Sequence, residues 1–250
     1  MQFKLVPILD KMEALYNLPR NRERFDAYLS MLQDPRNSEM ILPIAGYNPM
    51  GAELVSSKVR ELQSLQAEAL IAKELQRINN HISSNAKRVI EVVINLADDI
   101  GGAWSNFYTT DYSSKFDIGA IIKRDFCTPY FWTSESYSEE LIVQRTREAA
   151  YRTLFWLEHA KPQSLQDFLE QEVYVLLNSS EQQRDWVEDE FFELEQYYLK
   201  NAASEDYNLI FNFFYGDEAS QSLQYTAYGL TEMAGFNYAK YLAYHRRMNA

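Results

Sequence analysis

The chain has 250 residues, 46% hydrophobic and 24% charged, with 8 Gly, 7 Pro and a net charge of -12. That composition suits a soluble, helix-rich globular protein with a sizeable core, and the acidic field repels nucleic acid and anionic membranes. One cysteine, Cys127, rules out an intramolecular disulfide and a multi-cysteine zinc site.

The N-terminus, Met1 to Pro7, lacks the apolar core and cleavage site of a signal peptide, and no apolar run is long enough to span a bilayer. Together with the lone thiol, this points to the cytoplasm. Residues 8 to 32 read as helix, interrupted near Leu18-Pro19-Arg20, where proline removes a donor. Met40 to Tyr47 reads as a strand held to a sheet edge by Pro43. Asn48-Pro49 then looks like a helix start, and one long helix is expected from Gly51 to about Asn79.

Val89 to Leu96 is the strongest strand, because β-branched residues dominate it; a buried helical turn is the alternative. Asp98 to Phe126 is irregular and long for a loop. Cys127 to Thr133 is a second edge strand, again carrying a proline, Pro129. Ser136, Ser138 and Glu139 resemble a capped start for a helix to about Ala160, and Ser164 to Asp167 restarts a helix through Leu177. Ser180 caps an acidic helix over 181–199 whose apolar residues recur at helical spacing, so packing explains it without a partner. Leu209 to Tyr215 reads as an aromatic strand, with Asp217 capping a last helix to the C-terminus.

The expected architecture is an α/β or α+β single domain over 1–250: a small mixed sheet of about four strands covered by long helices, with an all-α fold as the alternative. Each expected strand ends in a polar cluster, which is where such a sheet presents a ligand site. The most site-like cluster is Asp98-Asp99-Ile100-Gly101-Gly102. Adjacent carboxylates at a strand end hold a hard cation, Mg²⁺ or Mn²⁺, or activate a water, so Asp98 and Asp99 are the candidate catalytic pair. Trp104 and Tyr108 offer a stacking wall and Asn106 an orienting amide; Asn48, Ser134 and Asp217 join them from the other strand ends.

Each of these also has a plain structural reading. Asp98 or Asp99 caps a turn, the 47–51 loop is an ordinary helix start, and Asp217 compensates a helix dipole. The histidines show no HExxH pattern, no Gly-x-Ser-x-Gly elbow is present, and Cys127 fits an inert core thiol. Two functions compete. One is an enzyme or binder of a small polar ligand, in its sharpest form hydrolysis or group transfer assisted by a divalent ion. The other is a non-catalytic interaction or structural protein. A homo-oligomer is compatible with either.

Overall fold

In the computed structural model, which describes residues 1–82, 88–100, 104–179 and 191–249, the apolar run after Arg88 is the central rail of a parallel sheet. β1 (Gln2–Leu5) pairs with β2 (Val89–Val92), and β2 pairs with β4 (Phe126–Cys127) on its other side. Two residues further on, β3 (Asn95–Ala97) pairs with β5 (Tyr130–Trp132). The ladder does not stop between them. Val93 donates to the Cys127 carbonyl and Asn95 to the Pro129 carbonyl, each at 3.0 Å. Pro129 thus serves as an acceptor on an outer strand, where its missing N–H costs nothing. Ile90, Val92, Val93, Ile94 and Leu96 are all buried. A strand covered on both faces reads as a continuous apolar run, which is why helix and strand were hard to separate by period.

The chain forms two compact units, Met1–Ala150 and Tyr151–Ala250. In the first, β1 leads to α1 (Leu9–Tyr16), α2 (Arg22–Leu32), α3 (Glu53–Ser64) and α4 (Ala67–His81) before β2. The expected break at Pro19 separates α1 from α2. The buried Arg24 guanidinium closes it, donating to the carbonyls of Tyr16 (2.9 Å) and Leu18 (2.8 Å). Asn79 of α4 covers the open edge of β1, donating to the Phe3 carbonyl and accepting its N–H. β1 itself was not expected: four residues with one buried side chain leave too short a pattern to read.

The helix expected over 51–79 is two helices. Gln66 adopts a left-handed conformation (φ 51°), which ends α3 and starts α4 at a new angle. The buried stripe is Val55, Val59 and Leu62, then Ala67, Ile71, Leu75 and Ile78, while Leu54 faces solvent. The stretch 98–126, expected to be irregular, contains α5 (Phe107–Phe116) and α6 (Gly119–Ile122). They provide the crossover that two parallel strands require.

Met40 to Tyr47 is not a strand. Only an isolated bridge joins Met40 to Gln33. The rest is a buried turn whose backbone is satisfied by side chains, as Asn95 accepts from Gly46 N–H (3.0 Å) and donates to the Pro43 carbonyl. Tyr28 donates to the Ile44 carbonyl at 3.2 Å.

α7 (Glu139–Glu158) begins where expected, with the Ser138 hydroxyl accepting from Leu141 N–H at 3.1 Å. In the second unit, α8 (Leu165–Ser179) starts with a reciprocal cap. Ser164 Oγ accepts from Asp167 N–H, and Asp167 Oδ2 accepts from Ser164 N–H. α9 (Phe192–Asn201), α10 (Tyr207–Ser222) and α11 (Ala234–Met248) follow, and α11 packs on α8 and α10. The expected strand over Leu209 to Tyr215 is the first half of α10, capped by Asp206. Every residue from Leu209 to Gly216 is buried, so no amphipathic period survives, and the aromatics imitate a strand. The first ten residues of the expected acidic helix, with Ser180, lie outside the described residues. The molecule is therefore helix-rich, with a small sheet whose described pairings are all parallel. Among the described residues no helix is long and apolar enough to cross a membrane.

Candidate functional site

Register builds the site. Ala97 lies opposite Trp132, the last pair of β3 and β5. One step further the chain sets Asp98 opposite Thr133, and one more sets Asp99 opposite Ser134. The hydrogen bonds follow that offset. Thr133 Oγ1 stands 3.2 Å from Asp98 Oδ1 and 3.0 Å from Asp99 Oδ1, and accepts from Asp99 N–H. Ser134 donates to Asp99 twice, from its N–H to Oδ1 at 3.0 Å and from its hydroxyl to Oδ2 at 2.5 Å.

Asn48 arrives from the buried turn and donates Nδ2 to Asp98 Oδ2 at 2.7 Å. Its own Oδ1 accepts from Met50 N–H, and its carbonyl accepts from the Tyr16 hydroxyl at 3.0 Å. Burial first, then Tyr28 and Asp98, pushes the Tyr16 phenol far up, so it remains a donor. Asn48 does not cap α3, which starts at Glu53 with no side-chain cap. Its amide is committed to the carboxylate instead.

The two aspartates differ. Asp98 is 8% exposed and locked by Asn48 and Thr133, whereas Asp99 is half-exposed at the outer side. Among the described residues neither carboxylate has an ion-pair partner. A threonine hydroxyl has one hydrogen, so it satisfies only one of the two carboxylate oxygens that crowd it.

Ser105 N–H returns to the Asp98 carbonyl at 3.2 Å; Gly101, Gly102 and Ala103, between them in sequence, lie outside the described residues. Trp104 follows them. Its indole donates to the Ala45 carbonyl at 3.1 Å and its ring meets Tyr28 edge-on. Asn106 serves as the cap of α5, accepting from Thr109 N–H at 3.1 Å. Tyr108 sits in the first turn of that helix, its ring edge-on to Phe107. Hydrogen bonds therefore join Asn48, Asp98, Asp99 and Ser134. Thr133, which centres them, and Asn95, which holds the turn carrying Asn48, were not among the expected residues. Thr133 is the last residue of an apolar run, and only the strand register shows that it faces the aspartates.

Asp217 belongs to the second unit and follows no strand. It accepts from Asn212 Nδ2 at 3.0 Å and from the N–H groups of Tyr228, Gly229 and Leu230. It staples the chain after α10 rather than capping a last helix. The Asn212 amide, then the backbone donors, hold its carboxyl below the usual range. A depressed folded pKa gives stability that is present above the unfolded value near ~4 and lost as pH falls through the folded one. Asp217→Asn should therefore cost about 1–2 kcal/mol at pH 7 and little once the wild-type carboxyl is protonated. Urea titrations at pH 7 and at successively lower pH, to below the usual carboxylate range, read the difference, with a loss that does not shrink as pH falls contradicting it.

Cys127 is 2% exposed inside β4. His159 stacks on Phe155 at 4.3 Å, with its Nδ1 on the Phe155 carbonyl. Among the described residues no group of three or more His, Cys, Asp or Glu side chains is placed to hold a metal ion. Comparison with known protein families, with curated proteins and with solved structures finds no match.

Proposed function

We propose that the carboxyl ends of β3 and β5 bind a small polar ligand together with a divalent cation, Mg²⁺ or Mn²⁺. Hydrolysis or group transfer on that ligand is the chemistry such a site would serve. One observation carries this reading: Asp98 and Asp99 crowd a single Thr133 hydroxyl and have no cationic side chain paired to them among the described residues. Bringing a cation to such a pair relieves their mutual repulsion. Two carboxylates without a third protein ligand suit Mg²⁺, which keeps several waters and is commonly held by one or two carboxylates plus its substrate. In this arrangement Asp99 contacts the hydrated ion, while Asn48, through Asp98, orients the pair. Trp104 and Tyr108, which follow the aspartates in sequence, are the aromatic groups that would offer a ligand a flat face.

The net charge of -12 argues against nucleic acid as a partner. The single cysteine, buried in β4, needs no oxidising compartment, and we place the protein in the cytoplasm on that ground.

Scanning fluorimetry tests the cation. Mg²⁺ or Mn²⁺ should raise the thermal midpoint, by the equivalent of about 2.7 kcal/mol at a hundredfold excess over Kd. The double substitution Asp98→Asn, Asp99→Asn should remove the rise. A wild-type midpoint that does not move from micromolar to millimolar metal would contradict the reading.

A further inference from the structure

A second site stands within the second unit. A cleft of about 570 Å³ lies between α9, the 228–231 turn and the start of α11. That size suits a small organic molecule. Phe191, Tyr197 and Tyr228 bring three aromatic side chains to it, and Glu193 brings one carboxylate. Among the described residues that line it, none is basic. Glu193 is exposed and has no ion-pair partner among the described residues. The turn that forms one wall is fastened from behind by the Asp217 carboxylate. Gly229 in that turn has φ +87°, and no atom lies within 4 Å of where its Cβ would stand, so the wall is open there.

We infer that this cleft binds a small alkylated ammonium ion, recognised by the rings of Phe191, Tyr197 and Tyr228 and by the Glu193 carboxylate. The chemistry selects among ligands. Among the described lining residues an anion meets no basic side chain and a carboxylate instead. A bare metal ion needs several oxygen ligands and finds one carboxylate. An alkylated ammonium spreads its charge over methyl groups, tolerates an apolar lining and is attracted to aromatic faces.

The local field has the matching sign. The Tyr197 phenol is pushed up to about 12, by burial first and then by Tyr228, Asp217 and Asp206. Its hydroxyl is buried and has no hydrogen-bond partner among the described residues. Lys240, in α11, donates to Asn237 Oδ1 at 3.3 Å, and Asn237 lines the cleft.

Calorimetry on the full chain tests this with choline and its neutral isostere, 3,3-dimethylbutan-1-ol. Choline should bind saturably and at least about tenfold tighter than the alcohol. Tyr228→Ala and Glu193→Gln alter solvent-facing side chains, so the circular dichroism melt should be preserved. Each should weaken choline by about threefold or more. Equal affinity for the two probes would reduce the cleft to an apolar hole and overturn the inference. So would the absence of saturable choline binding, or choline binding untouched by both substitutions. Asp98→Asn with Asp99→Asn should leave choline affinity unchanged, which keeps this site separate from the strand-end pair.

Discussion

Arg152→Met is expected to destabilise the protein by about 3–5 kcal/mol, because it strands a charge inside the second unit. Arg152 and Glu172 are 5% and 4% exposed. They meet as a two-pronged pair, Nε on Oε1 at 2.9 Å and a terminal guanidinium nitrogen on Oε2 at 2.8 Å, which ties α7 to α8. Gln171 adds a third donor to Glu172 at 2.8 Å, and Trp156 donates to Gln171 at 2.6 Å. Removing only the arginine leaves the carboxylate desolvated with a single amide donor from this set. Removing both charges, as Arg152→Met with Glu172→Leu, should recover most of the loss, since buried pairs gain little over an apolar replacement. Urea unfolding followed by tryptophan emission measures both, and Trp156 reports from inside the network. A single substitution costing under ~1 kcal/mol, or a double one costing more than the single, would contradict the assignment.

Asn95→Ala is expected to cost about 2–4 kcal/mol for a different reason. Asn95 is 1% exposed, and among the described residues its side chain alone partners the Gly46 N–H and the Pro43 carbonyl. Alanine leaves both buried groups without that partner. Gly46→Ala should fail for the complementary reason: its Cβ would stand 2.6 Å from Asn95 Oδ1 and 3.2 Å from the Tyr130 ring. Because the same turn carries Asn48, Asn95→Ala should also blunt any metal response, although Asn95 touches neither aspartate. Equilibrium unfolding with and without Mn²⁺ gives both numbers. An Asn95→Ala protein as stable as wild type would show that the turn holds itself.

What the amino-acid sequence reveals depends on whether one face of an element meets water. α7 and α8 were legible because their starts carry serine and acidic caps and their bodies are amphipathic. The strand expected over Val89 to Leu96 was legible through its β-branched residues, and it is observed as β2 and β3, which Asp98 and Asp99 follow. α10 was not legible, since burial on all sides erases the period and Phe, Tyr and Ile suit strands as well as helices. The 40–47 turn misled in the opposite way. Its apolar residues are buried, but its hydrogen bonds go to Asn95 and Tyr28, partners distant in sequence. Asn106 and Asp217 look like ligand groups in a list of residues, yet local backbone donors engage both. Thr133 gained its place only through the register of β3 against β5.

The cation site proposed at the strand ends is tested most directly by location rather than by stability. Substoichiometric Mn²⁺ added to ¹⁵N-labelled protein broadens the amide resonances nearest the ion. The amides of Asp99, Thr133 and Ser134 should fade first, with Asn48 next, and the Asp98→Asn, Asp99→Asn protein should keep them sharp. Broadening spread evenly over the acidic surface, or centred on other carboxylates while those amides stay sharp, would contradict a cation site at the ends of β3 and β5.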